Sequence, residues 1–221
     1  MIDLYLNENF NKEDCKIIIF DFDETLYYSP TIRQYTINYQ KQAITSLTNK
    51  TEQEADELMK KYGYTLENKH AEAFGNSIQY FGITEPAWDN FKKEHLFLVP
   101  KEGIQTVPNE IFKSLSKKYK LYIVSREFFE NIGKKADLYG IDLSNFDDIF
   151  CPKAEDNYYT PKSKTVYYNN IIQENNCKPE NVVVIGDRYK VDILPLQEIG
   201  GNGIQIQTRD DLEQALKTQF L

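Results

Sequence analysis

The chain has 221 residues, of which 41% are hydrophobic and 27% charged, a composition typical of a globular protein. Its net charge of −8 and pI near 5.0 argue against a general binder of nucleic acids or membrane surfaces. No apolar run is longer than a strand, so no transmembrane helix is expected, and the first residues lack the pattern of a signal peptide. The three cysteines are scattered and have no metal-ligand spacing. We therefore expect reduced thiols in a cytoplasmic protein.

Strand and helix patterns alternate along the chain, with one interruption. After a polar segment and a first buried strand, residues 31–98 have helical periodicity with few β-branched runs. Beyond Pro100 the alternation resumes and continues to the end. The predicted strands are 3–6, 16–20, 120–125, 147–151, 181–185 and 203–206. The predicted helices are 32–47, 51–62, 68–81, 86–97, 109–119, 128–139, 163–176, 191–199 and 210–218.

This alternation predicts an α/β fold with a doubly wound, Rossmann-like parallel sheet, because a helix that connects parallel strands crosses over in a right-handed sense. The helical stretch predicts a smaller domain inserted after the first buried strand. We place the core domain at residues 1–28 and 100–221 and the all-helical insertion at 29–99.

Two aspartates follow the first buried strand. Residues 17–20 are four apolar residues, as in a strand buried on both faces, and Asp21 and Asp23 come next with Phe22 between them. Because side chains alternate along a strand, both carboxylates are expected on one side at the carboxyl end of a central strand, where open α/β sheets bind ligands. A single aspartate there would need no role beyond capping a turn. Two adjacent anions require a cation or a shared proton.

Polar side chains also end two further strands. Ser125 ends the second buried strand, Asp187 ends the fourth, and Asp192 lies about one helical turn beyond. A lysine near the start of the helix before the fourth strand completes the set. Oxygen ligands of this kind suit a hard cation, most often Mg²⁺. Such a cation next to a hydroxyl and an ammonium group suits a phosphoryl group.

These residues fall in segments that resemble the four motifs of the haloacid dehalogenase-like superfamily of phosphotransferases, in the family's order. The segments are 21–26 (DFDETL), 122–125 (YIVS), the lysine, and 184–192 (VIGDRYKVD). The resemblance extends over nearly the whole chain. It implies a Mg²⁺-dependent phosphatase that hydrolyses a small phosphomonoester, a nucleoside monophosphate or a sugar phosphate, through an aspartyl-phosphate intermediate. The implied partner is a small phosphorylated metabolite, and neither a nucleic acid polymer nor a membrane.

The resemblance also implies a role for each aspartate. Asp21 would be the nucleophile and Asp23 the general acid and base. Asp21, Asp187 and the backbone carbonyl of Asp23 would bind the metal. Asp192 would support the metal or the lysine.

The lysine of the third motif has two candidates. Lys162 lies 25 residues before Asp187 and fits family members whose lysine precedes a proline, but Ser163 replaces that proline here. Lys164 lies 23 residues before Asp187 and fits members whose lysine opens the helix directly. Spacing alone does not decide between them, and the missing proline favours Lys164. The chosen lysine would hold phosphate oxygens.

Three residues form the predicted substrate-binding set: Thr25, Ser125 and Arg126. Ser125 would hold phosphate oxygens together with the lysine. Arg126 stands where many relatives have an asparagine. It would either contact a second anionic group of the substrate or face solvent and pair with a nearby acid.

The helical insertion, called the cap below, occupies the place of the family's α-helical cap, which covers the cleft and selects the leaving group. Its pattern is similar to that of the pyrimidine 5′-nucleotidase branch. Aromatic side chains such as Phe74 and Trp88 are candidates for stacking on a base or sugar, although aromatic residues more often fill a helical domain's own core. Two other functions remain open: a phosphomutase of the β-phosphoglucomutase type, and a catalytically silent binding module.

Overall fold

Parallel strands form the centre of the computed structural model, which describes residues 2–8, 10–68, 73–153 and 163–221. The strands of these residues are β1 (Asp3–Tyr5), β2 (Ile17–Phe20), β3 (Tyr27–Tyr28), β4 (Gln105–Thr106), β5 (Lys120–Val124), β6 (Asp148–Phe150), β7 (Val182–Gly186) and β8 (Asn202–Gln205). Their α-helices are α1 (Ile32–Leu47), α2 (Glu52–Lys61), α3 (Phe74–Ser77), α4 (Glu85–Glu94), α5 (Asn109–Leu115), α6 (Phe129–Tyr139), α7 (Thr165–Glu174), α8 (Leu194–Gln197) and α9 (Arg209–Gln219).

Six strands form one sheet in the order β1-β8-β7-β2-β5-β6. All neighbours are parallel except β1, which pairs antiparallel with β8 at the edge. From β2 the chain builds the sheet first toward β5 and β6 and later, on the other side, toward β7 and β8. The predicted doubly wound, Rossmann-like α/β fold is therefore confirmed. The switch of direction lies at β2, and ligands bind at such points in open α/β sheets.

The sheet separates two apolar cores. Ile18 and Phe20 of β2 belong to the core covered by helices α5, α6 and α9, whereas Ile17 and Ile19 belong to the core covered by α7 and α8. All four side chains are fully buried, which explains why β2 appears as an uninterrupted apolar run. The carboxyl end of β2 therefore lies between helices from both faces of the sheet.

The described residues of the predicted cap, 29–99, contain helices and no strand. They have an apolar core of their own, which includes Ile44, Met59 and Phe81. Helix α1 has the predicted bounds. The helix predicted at 68–81 is instead α3 followed by a 3₁₀ turn (Ile78–Phe81), and residues 69–72 of that prediction lie outside the described residues. In the part of the chain that the structure describes, no helix is both long and apolar enough to cross a membrane.

Two features of the core domain differ from the prediction. Strands β3 and β4, which were not predicted, pair antiparallel at the two ends of the cap, with Tyr27 opposite Thr106. The helix predicted at 191–199 begins as a π-helical turn (Tyr189–Ile193) before α8. In this turn the Asp192 carboxylate accepts a hydrogen bond from the backbone N–H of Arg188 at 2.9 Å. Turns of this kind are frequent at functional sites.

Candidate active site

A cavity of about 230 Å³ lies between the carboxyl ends of the central strands and the cap. Asp21 follows β2, Ser125 follows β5 and Asp187 follows β7, so the topology brings three separate motifs to one edge of the sheet. The predicted site residues that line the cavity are Asp21, Asp23, Ser125, Arg126, Lys164 and Asp187. Strand β2 ends at Phe20, so Asp21 directly follows the strand and Asp23 lies in the turn after it.

Lys164 lies at the centre of the acidic residues. It is the N-cap residue of α7, its side chain is 2% exposed, and its Nζ lies 2.5 Å from Oδ1 of Asp21 and 2.8 Å from Oδ1 of Asp192. Burial alone would lower the pKa of Lys164, but the two carboxylates outweigh burial and raise it. The lysine is therefore a fixed positive charge beside Asp21. Lys162, the other candidate, lies outside the described residues.

Three carboxylates are close enough to share a cation. Oxygen atoms of Asp21, Asp187 and Asp192 all lie within 4.8 Å of one another. Burial raises the pKa of Asp21 to about 6. The charge of Lys164 partly opposes this rise, and the charge of Asp192 adds to it. Burial also raises the pKa of Asp187 well above its ordinary value, and the charge of Glu24 adds to this effect. A cation would offset this repulsion, and an all-oxygen donor set fits a hard ion such as Mg²⁺.

Asp192 differs from the other two carboxylates because both of its oxygens already have partners. Oδ1 accepts from Lys164 and Oδ2 from the backbone N–H of Arg188. This arrangement favours a supporting role for Asp192 over direct metal binding. Asp21 and Asp187 remain the best candidates for metal ligands.

Gly186, immediately before Asp187, is required by close packing. A Cβ atom on this residue would lie 2.5 Å from the Cβ of Asp192, far inside van der Waals contact. The glycine therefore lets the π-helical turn fold back onto the end of β7, which places Asp192 beside Lys164.

The three predicted substrate-binding residues have different surroundings. Ser125 is buried, and its Oγ accepts a hydrogen bond from the backbone N–H of Glu127 at 3.1 Å. Arg126 lines the cavity. Burial lowers the pKa of Arg126, and the charge of Arg188 lowers it further. This position favours the first of its two predicted alternatives, a contact with the substrate. Thr25 is buried and does not line the cavity, so its contact with substrate stays a prediction.

Asp23 has partners that no sequence motif indicates. Its Oδ1 accepts hydrogen bonds from the Tyr27 hydroxyl at 2.5 Å and from Lys135 Nζ at 2.7 Å. Lys135 also contacts Glu127 at 3.0 Å. Burial alone would lower the pKa of Lys135, but the charges of Asp23 and Glu127 raise it overall.

The sequence contained a signal for Lys135. Helix α6 buries Ile132, Ala136 and Tyr139, a spacing that defines one face of a helix. Lys135 belongs to the same face, three residues after Ile132. A lysine in an apolar stripe must find an anionic partner, because an isolated buried charge is strongly unfavourable.

The cap contributes apolar rings and one amide to the cavity. Phe74 and Trp88 line it while also packing against each other, with ring centroids 5.2 Å apart. Gln40 of α1 is 7% exposed and lines it as well. Its Oε1 is buried without a hydrogen-bond partner among the described residues. Gln40 is thus a cavity-lining residue whose buried amide oxygen lacks a hydrogen bond from the described part of the chain.

Comparison with known proteins identifies the family and the fold. A family model described as haloacid dehalogenase-like hydrolase matches residues 15–200. Among solved structures, the chain is similar to a haloacid dehalogenase-like hydrolase from Bacteroides fragilis, with 18% identity, 90% of this chain and 93% of the other covered, and a TM-score of 0.57. A haloacid dehalogenase-like family hydrolase from Streptococcus pneumoniae has 18% identity, 91% coverage of both chains and a TM-score of 0.55.

A HAD phosphatase from Thermococcus onnurineus has 16% identity, covers 93% of this chain and 100% of its own, and has a TM-score of 0.53. At these identities the structural likeness shows a shared fold. No curated protein matches the chain in sequence. Because the family model matches most of the chain, the protein belongs to the haloacid dehalogenase-like hydrolase family.

Proposed function

We propose that this protein is a Mg²⁺-dependent phosphatase that hydrolyses a small phosphomonoester through an aspartyl-phosphate on Asp21. One observation carries the proposal: Asp21 and Asp23 line the same cavity, but each carboxylate is held by a different buried lysine. Two carboxylates in separate environments suit two roles in one reaction, one as nucleophile and one as acid and base.

In the first half of the proposed reaction, an oxygen of Asp21 attacks phosphorus and the bond from phosphorus to the leaving oxygen breaks. Asp23 gives a proton to that oxygen. In the second half, Asp23 takes a proton from a water molecule that attacks the aspartyl-phosphate. Inorganic phosphate leaves, and both carboxylates return to their first state.

Other residues of the cavity would bind and orient the phosphoryl group. Lys164 and Ser125 would donate hydrogen bonds to its oxygens, which carry more negative charge in the transition state. Bound by Asp21 and Asp187, Mg²⁺ would supply positive charge to the same oxygens. Asp192 would keep Lys164 in place.

The cavity supports a compact substrate with hydroxyl groups. Its volume of about 230 Å³ is below the roughly 300–1,000 Å³ of sites for drug-sized ligands. The side-chain amide of Gln40, which lines the cavity, would form a hydrogen bond with a substrate hydroxyl. Both features favour a small sugar phosphate, and the same amide would serve a nucleoside monophosphate. The proposed partner is thus a small phosphorylated metabolite.

Asp21→Asn tests the mechanism directly, because the amide keeps the shape of the carboxylate but is not a nucleophile. With Mg²⁺ and a panel of phosphorylated sugars and nucleotides, we expect wild-type protein to release inorganic phosphate and Asp21→Asn to lose at least about a thousandfold in kcat. Asp210→Asn is the matched control, since its side chain is 86% exposed. Persistent activity of Asp21→Asn would contradict the proposal. An isomerised sugar phosphate in place of free phosphate would identify a mutase, and no turnover of any panel member would favour a binding module.

A further inference from the structure

The two aspartates of the first motif are held from opposite faces of the sheet. Lys164 contacts Asp21 from the side of α7, which packs on one face of the sheet. Lys135 contacts Asp23 from α6, which packs on the other face. The motif lysine therefore has a counterpart outside the four motifs.

Lys135 is fixed by a chain of hydrogen bonds. Its side chain is 0% exposed, and Glu127 Oε2 lies 3.0 Å from its Nζ. Glu127 Oε1 in turn accepts from the backbone N–H of Phe128 at 2.9 Å and from Asn131 Nδ2 at 3.0 Å. Asn131 Nδ2 also donates to the carbonyl of Lys92 in the cap helix α4 at 3.2 Å. The ammonium group thus has a defined position that is tied to both domains.

The contacts of Asp23 are divided unequally between its two oxygens. Lys135 and the Tyr27 hydroxyl both donate to Oδ1. Among the described residues, no side chain or backbone group donates to Oδ2. The side chain of Asp23 is 33% exposed and lines the cavity. One oxygen is therefore held, and the other is available at the cavity.

We propose that Lys135 is a positioning residue: together with Tyr27 it fixes Oδ1 of Asp23, so that Oδ2 is the oxygen that exchanges a proton with the leaving group. The proposal rests on the phosphatase chemistry proposed above and assigns a role to a residue outside the motifs. Lys135 does not touch the substrate. It acts only through Asp23, in the step that protonates the leaving oxygen and in the later step that takes a proton from water.

This role has a signature that a purely structural role lacks. A strongly basic leaving oxygen needs the proton of Asp23, whereas a weakly basic one leaves with little help. Phenyl phosphate and p-nitrophenyl phosphate have similar shapes, but phenolate is the more basic leaving group. A defect in the position of Asp23 slows the first substrate more than the second, and a general loss of folding slows both equally.

The test compares kcat/KM for the two aryl phosphates, with Mg²⁺, in wild-type protein and in Lys135→Met. We expect about a 100-fold loss for phenyl phosphate and less than a tenfold loss for p-nitrophenyl phosphate, within the range of general acid catalysis. Tyr27→Phe removes only one hydroxyl and should show the same selectivity with smaller losses. This second variant keeps the test decisive if Lys135→Met folds poorly.

Ile132→Ala is the control on the same helix, because it removes buried apolar contacts of α6 and no hydrogen bond to Asp23. It should slow both substrates by the same factor. Equal losses on both substrates in Lys135→Met and in Tyr27→Phe would overturn the proposal. Failure of the proposed function has a different result, namely activity in Asp21→Asn.

Discussion

A Cβ atom added to Gly186 would lie 2.5 Å from the Cβ of Asp192, so the two residues pack too closely to leave room for a methyl group. Gly186 ends β7, and Asp192 lies in the π-helical turn that follows it. From this position Asp192 contacts Lys164, which in turn contacts Asp21. The orientation of the proposed nucleophile therefore depends on the absence of a side chain at position 186.

Gly186→Ala should destabilise the protein and weaken the site together. The added methyl group must push Asp192 away, and overpacking of this kind costs about 1–3 kcal/mol of unfolding free energy. We expect at least a tenfold loss of kcat, because Lys164 loses one of its two partners. Urea denaturation and steady-state kinetics measure the two effects.

Gly133→Ala in α6 is the matched control for this substitution. A Cβ there meets no atom within 4 Å, and alanine is favoured over glycine inside helices by roughly 0.5–1 kcal/mol. It should be neutral or stabilising. Equal stability of the two alanine variants would show that position 186 is not packed as described.

Mg²⁺ should stabilise the folded protein in the absence of substrate. The carboxylates of Asp21 and Asp187 repel each other in a buried site, and a bound cation removes that repulsion. At a Mg²⁺ concentration of about 100 times Kd, the gain is about 2.7 kcal/mol, visible as a higher Tm. Asp187→Asn should lose most of this shift, and Asp210→Asn should keep it. An unchanged shift in Asp187→Asn would argue against a metal site at these residues.

Gln40→Leu should change substrate specificity without lowering the stability of the fold. The buried Oε1 of Gln40 has no partner among the described residues, so its replacement by a similar apolar side chain should leave stability unchanged or raise it by about 1 kcal/mol. For a hydroxyl-bearing sugar phosphate, we expect kcat/KM to fall about tenfold. For p-nitrophenyl phosphate, which has no hydroxyl, it should not change. Gln42→Leu, on an exposed position of the same helix, should alter neither property, and an equal effect of Gln40→Leu on both substrates would contradict the assignment.

The three thiols should react in a defined order. Burial raises the pKa of Cys15 and Cys151 to about 12, whereas Cys177 is only partly buried. At pH 8 about one in 10,000 of the two buried thiols is ionised, and this fraction rises tenfold per pH unit up to pH 12. In native protein we expect iodoacetamide to modify Cys177 first, with all three reacting alike in denaturant, as followed by mass spectrometry.

The raised pKa values of Cys15 and Cys151 also predict that the folded protein loses stability at alkaline pH. Thiols of the unfolded chain ionise near pH 8.5. Between about pH 8.5 and pH 12 the folded protein binds more protons at these thiols than the unfolded chain does, so its stability falls as pH rises.

In the labelling experiment, fast modification of Cys15 or Cys151 in native protein at pH 8 would contradict their burial.

Local patterns were enough to predict most of the fold. The apolar run of β2 and the 3.6-residue period of α1 each depend on near neighbours in the chain, and both were found in the structure. The helix predicted at 68–81 was wrong in extent, because only α3 and a 3₁₀ turn are found within its described residues. Gly82, with φ of +82°, ends that turn in the left-handed conformation that favours glycine.

The site was predictable only where its residues belong to motifs. Asp21, Ser125 and Asp187 directly follow strands whose order along the sheet brings them together, so topology supplied their proximity. Lys135 is 112 residues from Asp23, and no local pattern joins the two. What a sequence can reveal in such a case is the anomaly of a lysine on an apolar face, not the identity of its partner.

The short antiparallel pairing of β3 with β4 has a consequence for how the predicted cap is connected to the core domain. Because Tyr27 lies opposite Thr106 and Tyr28 opposite Gln105, residues 29–104 are, for the core domain, the loop of a β-hairpin. The entropy lost when a loop closes grows only slowly with its length, so the length of this connection by itself costs the core domain little. A replacement domain placed between Tyr28 and Gln105 would keep this connection but would have to supply the contacts that Ile32 and Val99 make in the apolar core around Phe20. The core can therefore accept a different insertion at this point only if those packing contacts are preserved.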